Sequence, residues 1–276
     1  MKNFLPKWNH FRKFILRSFI AAGLCVCASI AVSAPVPVHH RQGTIHAFLE
    51  MLAEDGHVLA SGDVIQVLSG DQVTVRTIFK FIDGSIDDET TVFSQLHNLR
   101  LISDHHLQKG PFFPHPMDVT IDSRKGQVTV RTTGKDGKDE VKMDHMALPL
   151  DLANGIVPEV IENIPPGAPQ TTVSMLVFTP SPRMVKLAIS RYGEAPFSVV
   201  GAAHQGIRYQ IKIELGGLAG VVAPLIGKQP PDIHLWIVGG QAPTFVKEEG
   251  PIYSDGPILT IELARPEWPG SRKEGE

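Results

Sequence analysis

The 276-residue sequence has few cysteines, few aromatic residues and little charge of either sign. It contains two cysteines, 7% aromatic residues and 20% charged residues, and its formal net charge is −3. So few cysteines exclude a disulfide framework, and the lack of a basic excess argues against a nucleic-acid partner. A hydrophobic content of 42% at low net charge excludes a disordered chain. The 25 glycines and 22 prolines favour many turns over long helices.

The first 34 residues have the three parts of an export signal. A stretch with five basic residues precedes an apolar run over residues 19–32, and Val32-Ser33-Ala34 supplies the small-residue pattern of a signal-peptidase site. The apolar run is short for a bilayer-spanning helix. We therefore expect residues 1–34 to be a signal peptide that is cleaved near Ala34, which leaves no stable transmembrane anchor. Residues 35–276 are expected to form a single β-rich domain that is exported, either periplasmic or secreted.

Cleavage at that point would change the composition of the remaining chain. It removes five of the 26 Lys/Arg residues and none of the 29 Asp/Glu residues, so the net charge moves from −3 to −8. Cys25 and Cys27 leave with the signal peptide, and neither follows the small residue that a lipoprotein signal needs. The expected exported domain is acidic, and neither disulfides nor thiol chemistry contribute to it.

Alternation of apolar and polar residues is the dominant pattern after the leader, and it is typical of half-buried strands. It is clearest in residues 73–81, in a hairpin over residues 117–131, and in residues 207–215. Shorter stretches with the same pattern are residues 45–51, 141–145, 173–177, 185–189, 233–237 and 259–263. Pairs such as Asp55-Gly56 and Asp83-Gly84 punctuate them as turns. About a dozen antiparallel strands are expected at this spacing.

One segment near the middle of the chain has helical spacing instead. Its apolar residues fall at i, i+3, i+4 and i+7, and they are Val157, Val160, Ile161 and Ile164. Pro158 suits the first turn of a helix, and Pro165-Pro166 prevents its continuation. Glu159 and Glu162 fall on the opposite side. We predict a mainly β fold, in which a large antiparallel curved sheet (a half-barrel) wraps around this short mid-chain helix.

Four stretches of the sequence resemble an uncharacterised family of exported bacterial proteins, a domain of unknown function. They are DGSIDDETTVFSQ (Asp83–Gln95), QKGPFFP (Gln108–Pro114), ALPLDLANG (Ala147–Gly155) and GKQPPDIHLWIVGGQAPTFVKEEGPIYSDGP (Gly227–Pro257). This resemblance implies no activity. The order of elements is similar to that of periplasmic half-barrels related to the lipoprotein-carrier fold, which fold a sheet over a helix and often hold an acyl chain. This second resemblance implies an apolar ligand site in the concavity of the sheet.

The leading functional hypothesis is therefore a non-enzymatic exported protein. It would bind a hydrophobic small molecule or lipid, or it would dock a protein of the cell envelope, without a cofactor. Binding pockets are mostly apolar, with a few polar groups that orient the ligand. The residues predicted to line this site are Phe79, Phe81, Val160, Ile161, Ile164, Tyr209, Ile211 and Trp236.

The sequence contains none of the common catalytic motifs. It lacks the phosphate-binding loop, the Gly-x-Ser-x-Gly nucleophile elbow and the His-Glu-x-x-His metalloprotease pattern. We assign no catalytic and no metal-binding residue. The alternative is a periplasmic hydrolase, possibly metal-assisted, that uses a histidine/aspartate cluster drawn from His105, His106, His115 and His145. If residues 105 and 106 lie on a strand, these two side chains point to opposite faces and do not share one ion. A third candidate is an adhesion sandwich with two sheets and no buried helix.

Three further segments carry specific expectations. The run Asp87-Asp88-Glu89 is interpreted as a solvated turn, because the loop pattern of calcium sites is missing. His145 shares a strand face with Val141 and Met143 and is expected to be a hydrogen-bonded core histidine. Residues 215–227 are uncharged and glycine-rich, and they favour a buried helical turn or crossover, with an apolar lid as the alternative.

Overall fold

The computed structural model describes residues 34–133, 139–178, 182–199, 202–216 and 229–264. The chain divides into two units, 1–32 and 33–276, and every described residue belongs to the second. Among the described residues, no helix is long and apolar enough to cross a bilayer.

Fourteen strands and one short helix make up the described part of the chain. The strands before the helix are β1 (Ile45–Leu52), β2 (Val58–Ser69), β3 (Gln72–Phe81), β4 (Ile86–Ser94), β5 (Arg100–Lys109), β6 (Met117–Asp122), β7 (Gln127–Thr133) and β8 (Asp139–His145). The helix is α1 (Val157–Glu162). The strands after it are β9 (Thr171–Phe178), β10 (Pro182–Val199), β11 (Ala202–Glu214), β12 (Ile233–Val238), β13 (Thr244–Gly250) and β14 (Leu259–Leu263).

All fourteen strands form one sheet, in the order β8-β7-β6-β5-β4-β3-β2-β1-β14-β13-β12-β11-β10-β9. Strands that are consecutive in the chain are antiparallel neighbours, as expected for short turns between strands. The exception is the pair β8 and β9, which form the two edges of the sheet. The chain meanders from β1 out to β8, passes through α1, and returns from β9 to pair β14 with β1 in antiparallel register.

The sheet curves until its two ends pack against each other. Residues 147–156, which follow β8, run along the edge strand β9, and Leu152 forms a parallel bridge with Ser174. Leu152 and Leu176 of β9 belong to one buried apolar cluster with Val119 and Ile121 of β6. Apolar residues of β6 and of β9 are thereby buried against a shared segment, which covers the edge strand β9.

Helix α1 fills the concave side of this sheet. Val160 and Ile161 of α1, and Ile164 just after it, pack with buried residues from both halves of the chain, and we call this group the helix core. The helix core includes Val73, Val75, Phe93, Leu99, Val173, Leu187, Ile189, Tyr209, Ile211, Leu235 and Ile237. A second buried group, which we call the end cluster, consists of Leu49, Met51, Ala60, Phe79, Phe81, Phe113 and Leu259. The predicted fold class, a curved antiparallel sheet around a short mid-chain helix, is confirmed. It replaces the sandwich alternative, because the structure has one sheet and a buried helix.

Two local expectations, for residues 87–89 and for His145, are wrong, and the glutamate side of α1 is covered as well. Asp87-Asp88-Glu89 lies within β4 rather than in a turn, and Asp87 is buried. Glu159 and Glu162 are buried with the apolar face of α1, because the sheet surrounds the helix. His145 lies on β8 and is exposed, since β8 is an edge strand whose Val141 and Met143 are also exposed. Most of the apolar run over residues 215–227 lies outside the described residues.

Candidate functional site

The residues predicted to line a ligand site fall in three separate places. Phe79 and Phe81 belong to the end cluster. Five belong to the helix core, and these are Val160, Ile161, Ile164, Tyr209 and Ile211. Trp236 belongs to neither group. The five helix-core residues are in mutual packing and nearly inaccessible, so as they stand they form part of a filled core rather than the wall of a cavity.

Trp236 is on the outer face of the sheet, because its neighbours on β12, Leu235 and Ile237, point into the helix core. It packs with Phe197 and Val246 and is buried there. The Arg208 guanidinium carbon is 5.7 Å and the Lys247 Nζ is 5.0 Å from the centre of a Trp236 ring. The structure therefore separates Trp236 from the other predicted lining residues.

A cavity of about 530 Å³ opens at the end of the sheet that carries the end cluster. Its apolar wall is formed by Ala53, Leu59, Phe112, Pro257, Ile258 and Leu259. Leu259 is part of the end cluster, and Phe112 packs against this cluster. The centroids of the Phe112 and Phe81 rings are 4.5 Å apart. The polar side of the cavity consists of Glu54, Asp55 and His57. His57 Nδ1 and Asp55 Oδ1 are in hydrogen-bonding contact.

A second feature, which the sequence analysis missed, is a polar layer inside the sheet. On β3, Val73 and Val75 lie in the helix core and Phe79 and Phe81 lie in the end cluster. Strand β4 shows the same order, with Phe93 in the helix core followed on the same face by Thr91, Glu89 and Asp87. This polar layer therefore lies between the two apolar groups.

Strand β5 continues the layer through its register with β4. Asp87 is opposite Gln108, Glu89 is opposite His106, and Thr91 is opposite Asp104. The side chains make matching contacts. His106 Nε2 is 2.7 Å from Asp87 Oδ1, and Gln108 Nε2 donates to Asp87 Oδ2 at 3.1 Å. The Thr91 hydroxyl donates to Asp104 Oδ1 at 2.8 Å.

Helix α1 and strand β13 bring three further carboxyl groups to this layer. Glu159 interacts electrostatically with Glu162 and Glu89, and Glu248 interacts with Glu89. Both carboxylate oxygens of Glu162 are satisfied, by Phe245 N at 2.9 Å and Gln42 Nε2 at 2.6 Å. Glu159 Oε2 is buried and has no hydrogen-bond partner among the described residues. We call the six carboxyl groups and one imidazole the acidic cluster, and its members are Asp87, Glu89, Asp104, His106, Glu159, Glu162 and Glu248.

Burial governs the titration of the acidic cluster, because a low-dielectric interior disfavours charged carboxylates. Burial raises the pKa of Glu162 and of Glu248 to about 7. Burial and the Glu162 charge raise the pKa of Glu159 to about 8. Burial and the Glu89 charge raise the pKa of Asp104 to about 7, although the Thr91 hydrogen bond opposes the shift.

The pKa of the His106 imidazole is also raised, but by neighbouring negative charge rather than by burial. Burial disfavours the charged ring, but Glu89 and Asp87 outweigh that effect and raise the pKa of His106 to about 9. Burial also raises the pKa of Glu89. Within the described residues His106 is the basic group that pairs with these carboxylates, so the cluster has a large excess of acid over base.

The four histidines considered for hydrolysis are not brought together. His105 and His106 point to opposite faces of β5, as expected for adjacent strand residues, and His105 pairs with Asp118 at 3.0 Å on the outer side. His115 and His145 are exposed, on a loop and on the edge strand β8. In the part of the chain that the structure describes, no group of three or more His, Cys, Asp or Glu side chains has the arrangement of a metal site.

A sequence signal for the acidic cluster existed but was weak. Strand β4 carries charged residues on both faces, since Asp88 pairs with Arg76 on the outside while Asp87 and Glu89 point inward. Without an apolar face, the alternation that identifies the other strands is absent. The clue was the three-residue spacing of Glu159 and Glu162 in a helix that the sheet had to enclose.

The comparisons with known proteins give a solved structure with a similar fold, and they assign no activity. Neither the protein-family models nor the curated proteins give a match to this chain. Among solved structures, the fold is similar to a β-barrel-like protein of the domain of unknown function DUF1849 from Brucella abortus. The TM-score is 0.45 at 10% sequence identity, over 81% of this chain and 97% of that chain.

Proposed function

We propose that this protein is an exported, non-enzymatic binding protein that takes a hydrophobic small molecule or a lipid chain in the cavity at the end of the sheet. The observation that supports this function is the cavity itself. It is a pocket of about 530 Å³ that is open to solvent, and most of the residues in its wall are apolar. The wall is continuous with the end cluster, which contains the predicted lining residues Phe79 and Phe81.

The polar side of the cavity fits an amphipathic ligand. Glu54, Asp55 and His57 lie on one side, and Leu59, Phe112 and Leu259 supply apolar contact on the other. An acyl chain would gain free energy by removal of apolar surface from water, at about 25 cal/mol per Å². Its polar end would stay beside the His57–Asp55 pair, where it can exchange hydrogen bonds with side chains and solvent.

Fluorescence titration with the neutral apolar dye N-phenylnaphthylamine tests this site. We expect saturable binding that a medium-chain fatty acid displaces. Ile258→Glu places a charge in the cavity wall and should weaken displaceable binding strongly, because an apolar ligand seated there would have to remove water from the carboxylate. Ile65→Glu is the matched control, since Ile65 is 45% exposed on the outer face of β2 and Ile258 is 42% exposed. Absence of saturable binding, or an equal loss in both variants, would contradict the proposal.

The proposal that the protein is exported rests on the basic stretch and the apolar run of residues 1–34 and on the small residues before Pro35. Expression of the full chain in a bacterial host, followed by mass spectrometry of the purified protein, tests it. We expect a mature protein in the extracytoplasmic fraction that lacks about 34 residues, by the signal-peptide pattern. Recovery of the intact chain from the cytoplasm alone would argue against export.

A further inference from the structure

The acidic cluster is separate from the end cavity and has no role in the function proposed above. Its carboxyl groups come from β4, β5, α1 and β13, and they meet inside the sheet between the helix core and the end cluster. Six carboxyl groups face one imidazole. Buried carboxylates are stable only when they are paired or protonated. As the pH rises through 7 to 8 and these groups ionise, the interior needs positive charge beyond the one imidazole of His106.

Glu159 provides a second, independent observation. Its side chain is more than nine-tenths buried, with 7% relative exposure, yet its Oε2 atom accepts no hydrogen bond from any described residue. The neighbouring Glu162 has partners at both oxygens. A buried acceptor without a donor costs about 1–3 kcal/mol, and more if it is charged. A bound molecule that brings its own donor would remove that cost.

The layer also retains space. The side chain of Glu89 is 30% exposed and that of His106 is 23% exposed, although both are on the inner face of the sheet. The apolar groups on either side are close to fully buried, as at Phe93 and Met51. Glu89 and His106 therefore retain accessible surface beside carboxyl groups of the layer that are almost fully buried, such as Asp104 and Glu159.

We propose that this polar layer binds an organic cation that carries several N–H donors, such as a polyamine or a guanidinium compound. Charge complementarity with six carboxyl groups identifies the sign of the ligand. The distribution of the acceptors over β4, β5, α1 and β13 favours a ligand with several separate donors. In the described residues, no three of these groups converge as they would around one metal ion, whereas separate N–H groups can reach acceptors on different strands and on α1.

Binding and protonation compete for the same groups. Glu159 and Glu162 on α1, Glu89 and Asp87 on β4, Asp104 and His106 on β5, and Glu248 on β13 are the titratable groups that face this space. A cation binds the ionised form, so its affinity should rise with pH, and binding near neutral pH should release protons. The heat of binding should then depend on the ionisation enthalpy of the buffer.

Isothermal titration calorimetry of the exported domain with spermidine, agmatine and calcium chloride tests the site. We expect spermidine or agmatine to bind at about pH 8, to release protons, and to bind much more weakly at about pH 5, where most of the cluster is protonated. Absence of binding by both amines at the higher pH would overturn the proposal. Binding of calcium alone would overturn the organic ligand class.

Variants separate this site from the end cavity and from surface charge. Glu159→Gln removes the unpartnered carboxylate and should weaken amine binding by about 10- to 100-fold, as expected for loss of one charged hydrogen bond. Glu140→Gln is the matched control, because Glu140 is exposed on the edge strand β8. The affinity of this variant for the amines should equal that of the wild type. Glu248→Gln provides a second test if Glu159→Gln does not fold. Equal weakening by Glu140→Gln would indicate non-specific attraction and would overturn the proposal, whatever the result with the apolar dye.

Discussion

Gly155 is the residue at which the link between α1 and the acidic cluster is tightest. Its φ angle is +65°, a region that residues with a side chain adopt rarely. A Cβ atom there would overlap Thr91 Oγ1 and lie 3.0 Å from Asp104 Oδ1, two atoms that are hydrogen-bonded to each other. Glycine is required at this position because it adopts the positive φ angle without strain and because no space is left for a Cβ atom.

Gly155→Ala should therefore destabilise the protein by more than backbone strain alone. Gly167→Ala is the matched control, because Gly167 also has a positive φ of +94° but has no atom within 4 Å of an added Cβ. We expect a cost of about 1 kcal/mol for Gly167→Ala and at least about twice that for Gly155→Ala in chemical denaturation. Equal free energies of unfolding for the two variants would show that the contact with Thr91 is not tight.

At the scale of elements, strand prediction succeeded where one face of a strand meets the core and the other meets water. Strand β11 alternates apolar and polar residues through Ile207, Tyr209 and Ile211, and it forms as predicted. Strand β4 has charge on both faces, so its pattern gave no strand signal. The rule that failed is the assumption that charged faces meet solvent, because a sheet that closes around a polar layer has charge inside.

The prediction of α1 from the sequence has the same limit. Its bounds and its apolar residues followed from spacing and from Pro158, and α1 forms at Val157–Glu162. The orientation of Glu159 and Glu162 did not follow, since an amphipathic pattern predicts a wet side. That side is also covered here, by the strands that curve past the helix. Burial of the second face depends on the curvature of fourteen strands, which no local pattern contains.

The segment between β8 and α1 covers the edge strand β9, and it contacts β9 through Asn154 and through hydrogen bonds between Asp151 and Ser174. Asn154 Nδ2 donates to Leu176 O and Asn154 Oδ1 accepts from Leu176 N, both at 2.9 Å and both buried. Asn154→Ala leaves a backbone N–H and a carbonyl of β9 without these partners. We expect a loss of about 2–3 kcal/mol.

Hydrogen exchange measured by mass spectrometry checks the location of that effect. Amides of Thr171–Phe178 should exchange faster in Asn154→Ala, while those of the central strand β3 should keep their protection, since local opening begins at poorly held edges. Uniform loss of protection across β3 and β9 would mean that the segment holds the whole sheet rather than its edge.

At the scale of the whole molecule, the acidic cluster makes stability depend on pH in an unusual direction. The pKa of Glu159 rises from 4.5 to about 8 on folding, and that of Glu162 and Glu248 rises from 4.5 to about 7. Folding thus favours the protonated carboxyl groups. Their contribution is fully present below about pH 4.5 and is lost as the pH rises through 7 to 8. His106 acts in the same direction, because its raised pKa makes its contribution disappear as the pH approaches 9.

Thermal unfolding in amine-free buffer should therefore give a melting temperature that falls steadily between about pH 5 and about pH 9. Glu159→Gln should flatten the upper part of this profile, because glutamine needs no proton in the folded state, and a pKa shift from 4.5 to about 8 corresponds to on the order of 5 kcal/mol. Glu140→Gln should leave the profile unchanged. A melting temperature that is constant or rises over this range would mean that the carboxyl groups stay charged and solvated inside the sheet. If spermidine restores stability at the upper end of the range in the wild type but not in Glu159→Gln, the loss at high pH comes from uncompensated negative charge in this one layer.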